Sequence, residues 1–236
     1  MQLLNAKEQN DIFKSLPTEV WERISKHIEP VQMTLGLVLA EKNSLRNHLY
    51  FPSTALVGVI QIPEGNATAS MMLVDRQGCS GISIFLAGQN TATKHVVQVA
   101  GTGYRIKSNV VQDSYALAGP LMLSLLKYAQ AFIAQTVQAA VCGLHHTVRN
   151  QYCGLLLVAS DLLPAAAPNL TPQLVAQSLG ARGEDILSIS QDLQNTGLIN
   201  YAAGPVKIID RKGLEEQSCQ CFRFIKAENE RILSKF

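Results

Sequence analysis

The spacing of apolar positions changes several times along the chain, and each change predicts a different kind of element. In SLPTEVWERISKHIEPV (15–31), Val20, Trp21, Ile24 and Ile28 fall on one helical face. Thr18 is the expected N-cap, with Glu19 and Glu22 in the first turn, where acids suit the helix dipole. From Val31 to about Lys107 the texture becomes short alternating or β-branched runs: LGLVL, HLYFP, ALVGVIQI, SMMLV, KHVVQVA and YRIK. Gly, Pro and Asn break these runs, as in PEGN at 63–66. Runs recurring roughly every 8 to 12 residues predict an antiparallel sandwich or barrel, here one small β-roll.

Residues 113–142 carry the longest helical pattern, whose start Gly119-Pro120 delays or bends. Leu121, Leu125, Tyr128, Phe132, Gln135 and Ala139 follow a four-three seam, and of the segment's side chains only Asp113 and Lys127 are charged. Such a helix must be covered, either by the chain's own core or by a second copy in a dimer. After Gly143 the pattern predicts helices over 145–163, 171–179 and 183–195, with LLPAAAPN (162–169) as a loop. NYAAGPVKIID (200–210) predicts a hairpin about Ala203-Gly204, and the polar tail from Leu214 to Phe236 is helical in its last part.

Within this half, LGARGEDILSISQDLQNTGLI (179–199) has the spacing of a helix-turn-helix: a helix end, a glycine turn, an amphipathic second helix and a lead into a strand. Leu174, Val175, Leu179, Ile186, Ile189, Leu193, Leu198 and Ile199 supply a small core. The charge is unusual for a nucleic-acid reader. From Glu184 to Gln194 there are three acids and no Lys or Arg.

Composition narrows the class further. The 236 residues, 47% hydrophobic and 16% charged, suit one large or two ordinary globular domains. The N-terminus has early charge and no apolar run of signal-peptide quality, and no stretch has the length of a membrane span, so a cytoplasmic protein without membrane association is expected. Five unevenly spread cysteines predict reduced thiols rather than a disulfide framework. Net charge is only +2, and from His145 onward nine Lys/Arg balance nine Asp/Glu, a handicap for phosphate binding.

No catalytic constellation stands out. His145-His146 with Cys142 or Cys153 forms a helix-surface group without an oxyanion site, so an enzyme is not expected. Cys219-x-Cys221 offers two thiolates, too few for structural zinc without nearby partners, and neither metal nor cofactor is expected. An unidentified small-molecule effector stays open.

The order helix, β-roll, long helix, helix-turn-helix, hairpin resembles the Crp/Fnr family of bacterial transcription regulators. The matching pieces are HLYFPSTALVGVI (48–60), DRQGCSGISIFLAG (75–88), VVQVAGTGYRIK (96–107), LLLVASDLL (155–163), LTPQLVAQSLG (170–180), LQNTGLINY (193–201) and VKIIDRKGLEEQSCQCF (206–222). The resemblance implies an α+β chain with a jelly-roll-like, cyclic-nucleotide-binding-like β-roll over 1–112 and a dimerisation helix over 113–142. A winged helix-turn-helix DNA-binding domain follows over 143–236.

In cyclic-nucleotide-binding relatives a Gly-Glu and an Arg pair hold ribose and phosphate. The matching stretch here, GCSGISIFLAGQNTATKHVV, has Cys79 near the glutamate position and Thr93-Lys94 near the arginine pair. Regulation by cAMP is therefore not expected, and Ser83, Thr93 and Lys94 are the candidate ligand contacts. Haem ligation through His48, His95 or Cys79 is the lesser reading, and the family's iron-sulfur signature is missing.

On the reading side, the resemblance assigns DNA contacts to Thr171, Gln173, Arg182, Glu184, Asp185, Ser188, Gln191 and Lys207. Arg182 matches a family arginine, Gly183 stands where a second is common, and Ser188 where a base-reading arginine is common. Two functions follow as expectations. One is a homodimeric regulator of double-stranded DNA with weakened or altered specificity; the other is a family-shaped protein that binds another protein instead.

Overall fold

The computed structural model describes residues 2–44, 47–61, 69–86, 92–113, 119–162, 170–201 and 206–233. Three short helices lead the chain: α1 (Gln2–Gln9), α2 (Asp11–Lys14) and α3 (Thr18–Ser25). Asn10 caps α2 by accepting the Ile12 amide at 3.1 Å, and its side-chain amide donates to the Pro52 and Gly78 carbonyls at 2.9 and 3.0 Å. One buried polar side chain thus ties the leader to Pro52 and Gly78 of the β-roll, with its hydrogen-bonding groups satisfied. Thr18 is the first helical residue of α3 and not its cap. Pro17 takes that place and provides no side-chain hydrogen bond.

The strands are β1 (Glu29–Met33), β2 (Val38–Ala40), β3 (His48–Pro52), β4 (Leu56–Gln61), β5 (Ala69–Val74), β6 (Lys94–Val99) and β7 (Gly101–Lys107). They form a three-stranded sheet in the order β1-β7-β3 and a four-stranded sheet in the order β2-β6-β4-β5. The β1–β7, β3–β7, β2–β6 and β4–β6 pairs are antiparallel. Alternation sends Leu49, Phe51 and Ile106 inward, where Phe13 of α2 packs on Phe51 and Trp21 with ring centroids 4.4 and 5.4 Å apart. Short helices α4 (Ile82–Phe85) and α5 (Ser108–Asp113) were not legible in the apolar pattern, being little longer than a turn.

The long helix α6 runs Pro120–His145, with proline at its first position, where no amide hydrogen bond is lost. Its expected beginning at 113 is met instead by the end of α5, and 114–118 lie outside the described residues. Then come α7 (Val148–Leu162), α8 (Pro172–Leu179), α9 (Gly183–Asn195), β8 (Ile199–Tyr201), β9 (Val206–Ile208), α10 (Arg211–Gln217) and α11 (Cys221–Leu233). The chain divides into two compact units, one of residues 1–61, 72–132 and 231–236 and the other of 62–71 and 133–230.

In the first unit, Leu121, Leu125 and Tyr128 of α6 are buried in the β-roll core, with Phe132 packed against it. These residues belong to the expected dimer seam, and Leu121, Leu125 and Tyr128 are covered here by their own chain. Gln135 donates to Asn229 at 2.8 Å within the second unit, and Ala139 is half-buried. A different stripe of α6 faces solvent: Leu123, Leu126, Ile133, Val137, Val141 and Leu144, the last 80% exposed. With Gln130 and Ala140, which are also exposed, Leu123, Leu126, Ile133, Val137 and Leu144 recur at intervals that alternate three and four, the heptad period of a two-helix seam, and Val141 lies beside that row.

In the second unit α7 is the spine, burying Tyr152, Cys153, Leu156 and Leu157. Leu174, Val175, Ile186, Leu193 and Ile199 are buried as the pattern predicts, and Leu179, Ile189 and Leu198 are half-buried. Tyr152 and Ser190 share a buried hydroxyl contact of 3.0 Å, which fixes α9 on α7. Among the described residues no helix is long and apolar enough to cross a membrane.

Candidate nucleic-acid interface

The turn between α8 and α9 is built by local chemistry. Thr171 caps α8 by accepting the Leu174 amide at 3.2 Å, Pro172 fills the first helical position, and Gly180 closes the helix at φ 62°. That left-handed conformation is one glycine adopts without the Cβ clash. The Ala181 amide then donates to the Ala176 carbonyl at 2.9 Å, and α9 starts two residues later.

The outer face of α9 presents Glu184, Leu187, Ser188, Gln191, Gln194 and Asn195 to solvent. Its cation is spoken for. Arg182, at the N-cap, donates from Nε and Nη2 to Asp185 at 3.0 and 2.9 Å, a two-point fork between planar groups. The Arg182 guanidinium holds the Asp185 carboxyl below the usual carboxylate range, and Asp185 raises the arginine in return. Further along, Arg149 of α7 pairs with Asp192, and Gln194 accepts the Tyr201 amide at 2.8 Å.

Lys207 is exposed on β9, opposite Asn200 in the β8–β9 hairpin. The expected hairpin tip at Ala202-Ala203-Gly204 lies outside the described residues, as does the side chain of Gln173. Thr171 contributes its hydroxyl to the cap. The structure therefore brings Arg182, Glu184, Asp185, Ser188 and Gln191 onto one helix end and face, where Glu184 can accept from a base amino group and Ser188 and Gln191 can make polar contacts. A hollow lined by Pro172, Arg182, Gly183, Glu184 and Leu187 adjoins the head of α9.

In the β-roll, the candidate ligand contacts are engaged within the chain. Lys94 pairs with Glu41 at 3.1 Å, and Thr93 and Ser80 contact the two ring nitrogens of buried His95 at 3.1 and 2.7 Å. Ser83 sits on α4, its hydroxyl buried without a partner among the described residues. Residues 87–91, within the matching stretch, lie outside the described residues. Cys79 is buried.

One group of side chains brought together by the fold is not foreseen from the sequence. Cys142, His146, Cys219 and Cys221 converge in the second unit, although the sequence pattern keeps them apart. The available signal was Cys142 and His146 at an i, i+4 spacing, which places both on one helix face.

No protein-family model matches the chain, and no curated protein matches it. Solved structures do. FixK2 from Bradyrhizobium japonicum aligns with a TM-score of 0.72 and 11% identity over 81% of this chain and 98% of its own. The c-di-GMP responsive global regulator CLP from Xanthomonas campestris gives a TM-score of 0.67 at 14% identity, covering 81% and 99%. A Crp/Fnr-family transcriptional regulator from Thermus thermophilus gives 0.62 at 19% identity, covering 80% and 98%. The chain has the fold of the Crp/Fnr regulators, a β-roll followed by a helical winged unit.

Proposed function

We propose that this chain is a Crp/Fnr-like transcriptional regulator that works in the cytoplasm as a homodimer on double-stranded DNA and takes no signal from cAMP. The observation that carries the reading is the helix-turn-helix frame of α8, the Gly180 turn and α9, followed by a β8–β9 hairpin. An exposed heptad stripe on α6 supports the dimer. A frame of this kind sets the second helix into a major groove, and a two-fold dimer reads two half-sites about 34 Å apart.

The polar face of α9 favours weak or altered specificity. Glu184, Ser188 and Gln191 provide acceptors and neutral donors where bidentate arginine contacts discriminate by roughly 1 to 3 kcal/mol per base. Selection from a random double-stranded library with the full-length dimer tests the reading. Enrichment of a two-fold motif, half-sites roughly 10 base pairs apart, is the expected outcome; an unenriched library sinks it.

The second reading is a protein-binding relative with a retired reading helix. The Arg182–Asp185 fork favours it, because it neutralises the cation at the head of α9. The same selection separates the two readings.

A further inference from the structure

We propose that Cys142, His146, Cys219 and Cys221 form a zinc-binding site of the Cys3His type. Each residue offers one ligand atom, and the four atoms lie within 4.8 Å of one another. Cys142 and Cys219 have their Sγ atoms 3.4 Å apart, and the Cys221 Sγ is 3.5 Å from His146 Nδ1. Donors bound at about 2.0 to 2.3 Å to one tetrahedral ion sit roughly 3.3 to 3.8 Å from each other. The cluster is thus compact enough for one ion.

Local structure explains the convergence. Cys142 lies in the last turn of α6 and His146 just beyond its end, where the His146 amide donates to the Cys142 carbonyl at 3.0 Å. Cys219 follows Ser218, the C-cap of α10, and Cys221 opens α11. The Asn150 side chain donates to the Gln217 carbonyl at 2.7 Å, holding the start of α7 against the end of α10. All four ligands belong to the second unit.

The chemistry selects the ion. Three thiolates and an imidazole form a soft, closed set that suits zinc and disfavours magnesium or calcium, which take oxygen ligands. Cys219 and Cys221 are buried, while Cys142 and His146 are half-buried beside a hollow lined also by Gln138, Asn150 and Phe224. Gln138 donates from Nε2 to the Cys221 Sγ at 3.0 Å, the kind of outer contact that orients and stabilises a metal-bound thiolate. With four protein ligands no position is left for reacting water, so the site is structural. It staples the end of the long helix to the segment that follows the hairpin.

Binding is a ligand exchange without redox change. Zinc(II) enters as a dication, up to three thiol protons pass to the buffer, and zinc stays divalent. The site stands independently of whether α9 touches DNA.

The test uses the reduced full chain, stripped of metal and titrated with cobalt(II) alone. The expected result is saturation at one equivalent, with tetrahedral visible bands and a thiolate charge-transfer band, both bleached by one equivalent of zinc. Cys219→Ser with Cys221→Ser abolishes the spectrum, Cys79→Ala keeps it, and Gln138→Leu weakens zinc binding about 10- to 100-fold. Because the double variant could fail to fold, His146→Cys provides a second measurement: it keeps the ion and shifts the cobalt bands. Three outcomes overturn the proposal: no tetrahedral spectrum in the wild type, unshifted bands in His146→Cys, or a Cys142–Cys219 disulfide in chain isolated anaerobically with thiols blocked.

Discussion

Arg182 and Asp185 close on each other across one turn at the head of α9, the guanidinium donating twice to the carboxylate at 2.9 and 3.0 Å. The cation at the head of α9 is thereby held by an acid of its own helix. Asp185→Asn frees it, and one added phosphate contact steepens the salt dependence of DNA binding by about one unit of slope, on the order of tenfold in affinity at about 50 mM salt. Gly183→Arg adds a second cation without steric conflict, since a Cβ there meets nothing within 4 Å. Fluorescence anisotropy of both variants against wild type checks this; unchanged affinity and slope mean that α9 does not approach the phosphates.

On the proposed dimer, the two faces of α6 separate stability from association. Ile133→Asp with Val137→Asp places charges in the exposed stripe and yields a folded monomer by light scattering. Leu125→Ala, at a fully buried position, leaves association intact and costs about 2 to 5 kcal/mol in denaturant unfolding. The reverse pattern, with Leu125→Ala dissociating a stable dimer, contradicts the assignment.

Asp75 makes the first unit sensitive to pH in an unusual sense. Burial pushes its carboxyl from 3.8 to about 7, against the lowering effect of the Gln77 amide, which it accepts at 3.1 Å. Asp11 nearby adds to the rise and Arg76 opposes it. The folded value lies above the unfolded one, so the native chain holds the extra proton between these values. Stability therefore falls as pH rises from about 4 to about 7, by at most about 4 kcal/mol from this group. Asp75→Asn flattens that dependence, so its stability relative to wild type improves between pH 5 and pH 8 in urea unfolding. Parallel curves for the two chains contradict it.

Engagement of Lys94 by Glu41, with no arginine at the matching position, predicts no thermal stabilisation by cAMP. A shift of several degrees at millimolar cAMP, which requires binding to the folded state, contradicts that reading.

Much of the architecture was legible because its signals are local. Turn-broken β-branched runs announced the β-roll, and Thr171-Pro172 with Gly180 marked α8 and its turn through cap, ring and left-handed chemistry. Which face of α6 is buried was not legible. α6 is apolar on most sides, so a three-four spacing fits Leu121-Leu125-Tyr128 as well as Leu126-Ile133-Val137, and tertiary packing chose which set was buried. The resemblance sets Asp185 among the DNA contacts, whereas three residues after an N-cap arginine it first meets that arginine. The thiol cluster was hidden because Cys142 and Cys219 stand 77 positions apart and only the fold unites them.

The most direct measurement is a salt titration of wild-type binding to mixed double-stranded genomic fragments, followed by anisotropy. The predicted result is measurable binding at about 50 mM salt that weakens linearly on a log–log plot as salt rises. Absence of binding at about 50 mM salt contradicts a DNA-binding role.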